Sequence, residues 1–426
     1  MLRKADSDRA WREAPENEQQ REFVSQWAKW VCENRNSAAS GFGFSSPPRL
    51  QDALGASPEN ASATRSRSQA PEARERQSLG RTRQTDSASG TWFARLVGFS
   101  EGNRAEVHQQ LSVHGNQLRS AVNDAVFNCG RLELASLGSL REQVAELPLA
   151  GKLRVSELVG DAQALHADEA HAGAIFQVAS QFNLLEMISP GVTPDHGVGI
   201  YENDPTQGPA CAIACGAGTI YRNYFVELDS QLGQTATRQI DCLAGIGKTL
   251  GNTRHELWVM RNGYALPSSA GLAEVDRQLS AMTQAELDGL RAQLQIGVQW
   301  DSQVTLAGSQ HLVTQAYCSA LPVAYSGLPV RLWERFARLV LEAAYEATLA
   351  AAVLNSINTG NRSVFLTLLG GGAFGNDQEW IMDAIARALN LYRKADLDVK
   401  IISFRKSNPR VRQLCQLQGR ADDDAV

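Results

Sequence analysis

The stretch "VFLTLLGGGAFGNDQEWIMDAIARAL", residues 364–389, decides how the rest of the chain is read. An apolar run enters three consecutive glycines, passes one phenylalanine between small residues, and becomes a helical pattern carrying Ile381, Ala384, Ile385, Ala388 and Leu389 on one face. With the apolar run "DVKIISF" that follows, residues 364–404 read as strand, glycine loop, helix, strand. Gly370, Gly371 and Gly372 remove every Cβ at the carboxyl end of a strand, where open α/β sheets bind ligands. Glycine also permits positive φ, so successive backbone N–H groups can turn inward as an anion nest. The helix N-terminus near Asn376 and Asp377 aims its dipole at the same point. These features predict a phosphate or diphosphate; a glycine-rich turn without a ligand is the structural alternative.

Outward from that unit, "GAIFQVASQF", "ACAIACGAGTIY", "HELWVMR", "HLVTQAYCSALPVAY", "SVFLTLL" and "DVKIISF" are short apolar runs of the kind that form strands covered on both faces. "FNCGRLELASLGSLREQV" reads as a short strand and a helix start. Helical patterns lie between: "LAEVDRQLSAMTQAELDGLRAQL", "VRLWERFARLVLEAAYEATLAAAVLNSI" and "WIMDAIARALNLYRK". The alternation predicts an α/β domain of three αβα layers, helices on both faces of a mixed sheet. Residues 151–416 are expected to form that domain, with 91–150 an extension packing on it. Residues 230–330 are expected to be an insertion carrying an acid-bearing amphipathic helix, and 417–426 a flexible C-terminus.

Residues 1–90 differ in kind. They are rich in Ser, Arg, Ala, Pro and Gly and poor in large apolar side chains, so they cannot bury enough surface to offset chain entropy and read as a disordered tail. Within them "REFVSQWAKWVCEN" has the pattern of a short amphipathic docking helix, or of a transient helix without a partner. The net charge of −5 over 426 residues gives no bulk argument for nucleic acid or an anionic membrane as partner. No run approaches the ~18 apolar residues of a membrane span, and the first twenty residues lack the apolar core of a secretory signal. Seven scattered cysteines suit reduced thiols. The expectation is a cytoplasmic, soluble protein.

Three motifs imitate other chemistries. "CLAGIGKT", residues 242–249, resembles a phosphate-binding P-loop, but Cys242 stands where that motif requires glycine, so Lys248 is not read as a phosphate lysine. "GGGAFG" misses the spacing and the downstream acid of a dinucleotide fingerprint, which argues against hydride transfer. Cys211 and Cys215 lack a second pair or a histidine cluster, so no metal is expected.

"LLGGGAFGND" resembles the phosphate loop of the macrodomain superfamily, and within it the "GCGAFGGD" loop of poly(ADP-ribose) glycohydrolases. The order helix "YEATLAAAVLNSI", strand, loop, helix, strand is similar to the macrodomain order, and "LVGDAQALHADEAHAGAIFQVASQFN" looks like that superfamily's "GD" segment followed by its "NAAN" strand. The resemblance covers about 150–226 and 340–405 and implies ADP-ribose as the ligand, with no cofactor. It assigns Asp161 to the adenine amino group. Gln177 and Ser180 stand where the family has asparagines, so Gln181 or Asn183 is expected to supply that contact to the distal ribose. Gly370, Gly371, Gly372, Ala373, Phe374, Gly375 and Asn376 would wrap the diphosphate, with Phe374 against a ribose or adenine face or simply buried.

Cleaving ADP-ribose from a side chain breaks a bond at the anomeric carbon through an oxocarbenium-like state, which needs a carboxylate to activate water and a second group for the cation or leaving group. The adjacent glutamate pair of poly(ADP-ribose) glycohydrolases is absent; Glu379, followed by Trp380, belongs to the other loop. The stretch "LLEMISPGVTPDHGVGIYENDPTQGPACA" instead offers Glu186, Asp195, Glu202 and Asp204. Acid clusters suit a guanidinium leaving group, which pairs with carboxylates in bidentate fashion. This is similar to MavL-type macrodomain ADP-ribosylarginine hydrolases and points to Asp204, then Asp195, then Glu186 as catalytic, against exposed-turn roles for each. Asp204 is also a candidate Asx-turn residue before Pro205. "GTIYRNYFVEL" brings Tyr221, Arg222 or Asn223 into consideration for the same pocket, with core packing as the alternative. The expected function is removal of ADP-ribose from protein side chains, arginine-linked. A non-catalytic ADP-ribose reader, a poly(ADP-ribose) glycohydrolase and an unrelated nucleotide-binding enzyme are the competing readings.

Overall fold

Seven strands form the central sheet: β1 (Arg131–Ser136), β2 (Arg154–Val159), β3 (Ile175–Ala179), β4 (Gln295–Gln303), β5 (Leu312–Cys318), β6 (Ser363–Leu366) and β7 (Asp398–Ser403). Their order is β1-β4-β5-β3-β6-β7-β2, parallel throughout except for β4, which runs antiparallel to both neighbours. The computed structural model describes residues 90–423. The tail and docking helix expected before residue 90 lie outside them.

Helices cover both faces, as the alternation requires. On one lie α1 (Leu137–Ala145), α5 (Ser269–Ala281), α6 (Gln284–Arg291), the long α7 (Val330–Thr359), α8 (Gln378–Leu391) and α9 (Pro409–Asp423); on the other α2 (Ala162–Ala167), α3 (Gln207–Ala214) and α4 (Gly216–Tyr224). β3 exhibits the sidedness. Gln177 donates to Thr348 of α7 at 2.9 Å, while its neighbour Phe176 stacks on His166 of α2, ring centroids 3.8 Å apart. Successive strand residues point to opposite faces, so the continuous apolar runs are the signature of a sheet buried twice.

Buried Glu346 of α7 accepts hydrogen bonds from Arg141 of α1 and Arg387 of α8, and both arginines also reach Asp288 of α6. The network ties four helices, and because each member has a second partner, losing one costs less than the ~3–5 kcal/mol of an isolated buried pair.

Four expectations are corrected. "ACAIACGAGTIY" forms α3 and α4, broken at Cys215 (φ −114°, ψ 62°), not a strand. A helix apolar on every side cannot be told from a buried strand by periodicity, and the small Ala, Gly and Cys side chains let two helices pack closely. "HELWVMR" supplies a strand, Trp258–Arg261, but it pairs with Tyr264–Pro267 in a separate hairpin turned by Asn262 (φ 47°) and Gly263 (φ 79°). The region 230–330 includes β4 and β5, which lie inside the central sheet. Finally, α9 continues to Asp423, so most of the expected flexible end is helical.

Residues 92–128 contribute a three-stranded sheet and a second apolar core, in which Trp92, Phe93 and Val107 meet Met187, Val198 and Tyr201. The N-terminal extension thus packs largely on the segment that carries the candidate acids.

Candidate functional site

Where β6 ends, Thr367 N–H donates to Gln177 Oε1 at 3.3 Å, and Leu369 N–H donates at 2.8 Å to the Tyr345 hydroxyl, which itself donates to Thr367 O at 2.7 Å. A buried tyrosine of α7 therefore anchors the root of the glycine loop. Gly370 (φ 73°) and Gly375 (φ 68°) take left-handed conformations. Asn376 closes the loop: its backbone N–H donates to Gly370 O at 3.0 Å, and its side-chain amide donates to Leu321 O at 2.8 Å. Gly375 N–H bonds Gly372 O at 3.0 Å. The N–H groups of Gly372, Ala373 and Phe374 take no hydrogen bond among the described residues. A Cβ placed on Gly372 would meet nothing within 4 Å. Asp377 caps the following helix α8 by accepting from Glu379 N–H at 2.7 Å. A row of N–H donors in front of a helix N-terminus is an anion cradle.

The other candidate ligand-binding segments leave the same edge of the sheet. Residue 161 follows β2, 180–183 follow β3, 319–325 follow β5 and 370–376 follow β6, all at carboxyl ends of parallel strands. Over the glycine loop, Phe374 packs with Tyr264 and Tyr325 at centroid distances of 5.4 and 5.6 Å, and the two tyrosines are 5.3 Å apart. Tyr264 arrives from the Asn262–Gly263 hairpin turn, and Phe374 O accepts from Ala324 N–H.

Tyr264 also links the loop to the acids. Its hydroxyl donates to Met187 O at 2.6 Å, next to Glu186, and burial, with Tyr325 and Asp204 adding to it, raises its ionisation well above the usual phenol value. Glu186 is buried, one carboxyl oxygen without a hydrogen-bond partner. The other lies so close to Gly208 that a Cβ there would sit 2.3 Å from it. Burial pushes the Glu186 carboxyl well above the ordinary range; Asp204 adds to the rise and the buried Arg222 guanidinium opposes it. Asp204 is half-buried and closes an Asx turn, accepting from Thr206 N–H at 2.9 Å.

The remaining candidates have structural partners. Asp195 is exposed, paired with Arg104 at 3.3 Å and accepting from Ala236 N–H at 2.8 Å. Asp161 caps α2, accepting from Gln163 and Ala164 N–H at 2.8 and 3.3 Å through one oxygen. Gln177 is spent on Thr348 and Thr367, with its amide inside the sheet layer. Ser180 bonds Gln181 O; Gln181 accepts from Met187 N–H, and Asn183 bonds Gln239 and Leu185. Gly371 is less open than Gly372, since a Cβ there would lie 3.0 Å from Ile381 Cδ1. Tyr221 is half-buried, and Asn223 donates to Pro194 O. Arg222 stacks on Tyr317 at 3.6 Å and donates to Leu184 O and Thr219. Lys248 is exposed on a short helix, Ala244–Thr249. Among the described residues no group of three His, Cys, Asp or Glu is arranged to hold a metal ion, and no helix is long and apolar enough to cross a membrane.

Sequence reasoning passed over Tyr264 and Tyr325. Their one local signal was the Asn-Gly turn before Tyr264; their ring partners are distant in sequence.

Fold and site together define an α/β chain with a glycine loop at the carboxyl edge of its parallel strands, unbonded N–H groups at Gly372–Phe374, and Phe374 packed on Tyr264 and Tyr325. No protein-family model and no curated protein matches the chain. Among solved structures it is similar to a poly(ADP-ribose) glycohydrolase from Thermomonospora curvata at 13% identity, covering 74% of this chain and 96% of that one, TM-score 0.37. It is also similar to a Deinococcus radiodurans poly(ADP-ribose) glycohydrolase in complex with ADP-ribose, at 12% identity, covering 70% and 95%, TM-score 0.35.

Proposed function

We propose that the chain is a hydrolase that binds ADP-ribose and releases it from ADP-ribosylated protein side chains, arginine-linked ones first. The observation that carries this reading is the continuity from the free N–H row of Gly372–Phe374, through the Phe374–Tyr264 contact and the Tyr264 bond to Met187 O, to Glu186, whose backbone shares Tyr201 with that of Asp204. A diphosphate on the N–H row, with Asp161 toward the adenine, directs the distal ribose to the acids. Asp204 then takes the proton of a water whose oxygen bonds the anomeric carbon as the carbon–nitrogen bond breaks. Glu186, held protonated by burial, supplies the proton the departing guanidine nitrogen needs. The products are ADP-ribose and free arginine, with both carboxyl groups reset by proton exchange. Asp195 is given no part, since Arg104 and Ala236 occupy both its oxygens.

The test is release of free ADP-ribose from substrates modified on arginine, glutamate and serine. Release from arginine alone is expected. Release from none, with ADP-ribose still binding by calorimetry, overturns the hydrolase reading in favour of a reader. That second reading is favoured by one fact: the Asp204 carboxylate already caps its own turn.

A further inference from the structure

Residues 192–206, which carry Asp195, Glu202 and Asp204, hold no strand and only two short 3₁₀ turns, Pro194–His196 and Gly199–Asn203. A loop of this kind owes its shape to what it is bound to. Its binding partners lie about a hundred positions earlier. Glu101 enters it as a guest anion: Oε1 accepts from Val198 N–H and from the Tyr224 hydroxyl, each at 2.8 Å, and Oε2 accepts from Gly199 N–H at 2.6 Å. The loop is cut to receive it, since a Cβ on Gly197 (φ 80°) would lie 2.5 Å from Glu101 Cδ and one on Gly199 2.7 Å from Oε2. Trp92 adds two bonds, its indole N–H to Val198 O and its backbone N–H to Glu202, both 2.9 Å. Arg95 pairs with Glu202 and Arg104 with Asp195.

The turn so gripped holds both candidate acids. Asp204 N–H donates to Tyr201 O at 3.1 Å, and Glu186 N–H donates to the Tyr201 hydroxyl at 3.0 Å. A path of bonded groups therefore runs from Glu101 through Val198 and Gly199 to Tyr201, and from Tyr201 to the backbones of Glu186 and Asp204.

We propose that residues 91–104 form a strap that positions the acid loop, with Glu101 the positioning residue that fixes where Glu186 and Asp204 stand. The proposal rests on the hydrolase reading. Glu101 touches no substrate; it acts through the Gly199–Asn203 turn. Its three partners are all donors, two of them backbone N–H groups that cannot reverse, so the site is made for a group that only accepts. Glutamine has the same shape but must aim an amide N–H at one of those donors, and a donor left facing a donor loosens the loop without emptying the space.

The experiment compares wild type, Glu101→Gln, Glu101→Asp and Trp92→Phe by hydrogen exchange, ADP-ribose calorimetry and steady-state release from ADP-ribosylarginine. In Glu101→Gln, amides of residues 196–204 are expected to exchange at least ~10-fold faster while 370–376 do not change, a loss on the scale of one hydrogen bond. ADP-ribose affinity stays within ~2-fold, and kcat falls ~10-fold or more at nearly constant KM. Trp92→Phe gives the same pattern with smaller size, and Glu101→Asp recovers part of kcat by restoring an all-acceptor group. Unchanged exchange in 196–204 overturns the strap whatever the activity. Faster exchange with unchanged kcat overturns the positioning role. Absence of release by the wild type on every linkage fells the hydrolase reading instead, which the exchange result leaves separately visible.

Discussion

The glycine loop and the acid loop are held in opposite ways. Residues 367–377 close on themselves, Asn376 onto Gly370 and Gly375 onto Gly372, with Tyr345 from the adjoining helix at the root. Residues 192–206 bond among themselves but are also gripped from outside, by Trp92, Glu101 and Arg104. The first leaves the N–H groups of Gly372, Ala373 and Phe374 unbonded; the second gives those of Val198 and Gly199 to a carboxylate of its own chain. Under the proposed function, binding draws more on short-range geometry and chemistry more on long-range geometry.

The largest effect that sharpens this contrast is on turnover. Asp204→Asn keeps the acceptor that Thr206 needs, so the Asx turn stays while the general base is lost. Release should fall ~10²–10⁴-fold, the usual worth of such a group, with ADP-ribose binding nearly constant by calorimetry. A variant that still turns over removes Asp204 from the mechanism.

Acid should next attack the segment that carries Asp161. His166 beneath Asp161 is buried neutral, donating from Nδ1 to Ala162 O at 2.7 Å and accepting from Gln315 at Nε2, and burial pushes its ionisation down to about 4. The unfolded chain binds the proton below about 6.5, so this stability is present above that value and lost as pH falls toward about 4. At about 1.4 kcal/mol per pH unit the loss reaches about 3 kcal/mol, an upper bound readable as a falling urea midpoint that His166→Phe should flatten.

Two glycines separate shape from ligand contact. Gly370→Val forces a branched side chain onto a φ of 73° and against Ala320 at 2.5 Å, so both Tm and binding should drop. Gly372→Val meets open space, so Tm should hold while ADP-ribose affinity falls ~10-fold or more by occlusion of the cradle alone. Wild-type affinity in Gly372→Val would remove the phosphate-cradle reading.

A further effect concerns Glu186. The fold holds its carboxyl protonated above the ordinary range, so the folded state binds the extra proton and stability declines as pH rises past the usual carboxyl value. Glu186→Gln should flatten that decline in a pH series of thermal melts, and an unchanged slope would show the carboxyl to be ionised.

What could be read in advance follows the same division. The unit 363–404 was legible because strand, glycines, cap and amphipathic helix are neighbours in sequence, each constraining the next. α3 and α4 were misread because Cys211, Ala212, Cys215 and Ala217 are buried on all sides and leave no period to detect. Asp195 carried the same local signature as Asp204, a carboxylate in a turn, and Arg104, ninety-one positions away, gives it a structural task. Glu101 and Tyr264 were invisible for a like reason: what marks them is the distant backbone and rings they meet.

Asn376 binding back to Gly370 also bears on descent. Because that ring of bonds includes nothing from residues 186–204, changes there leave the cradle intact. A lineage can therefore alter residues 186–204 while inheriting the same glycine loop, so that on the proposed reading the ligand grip outlasts the chemistry done on it.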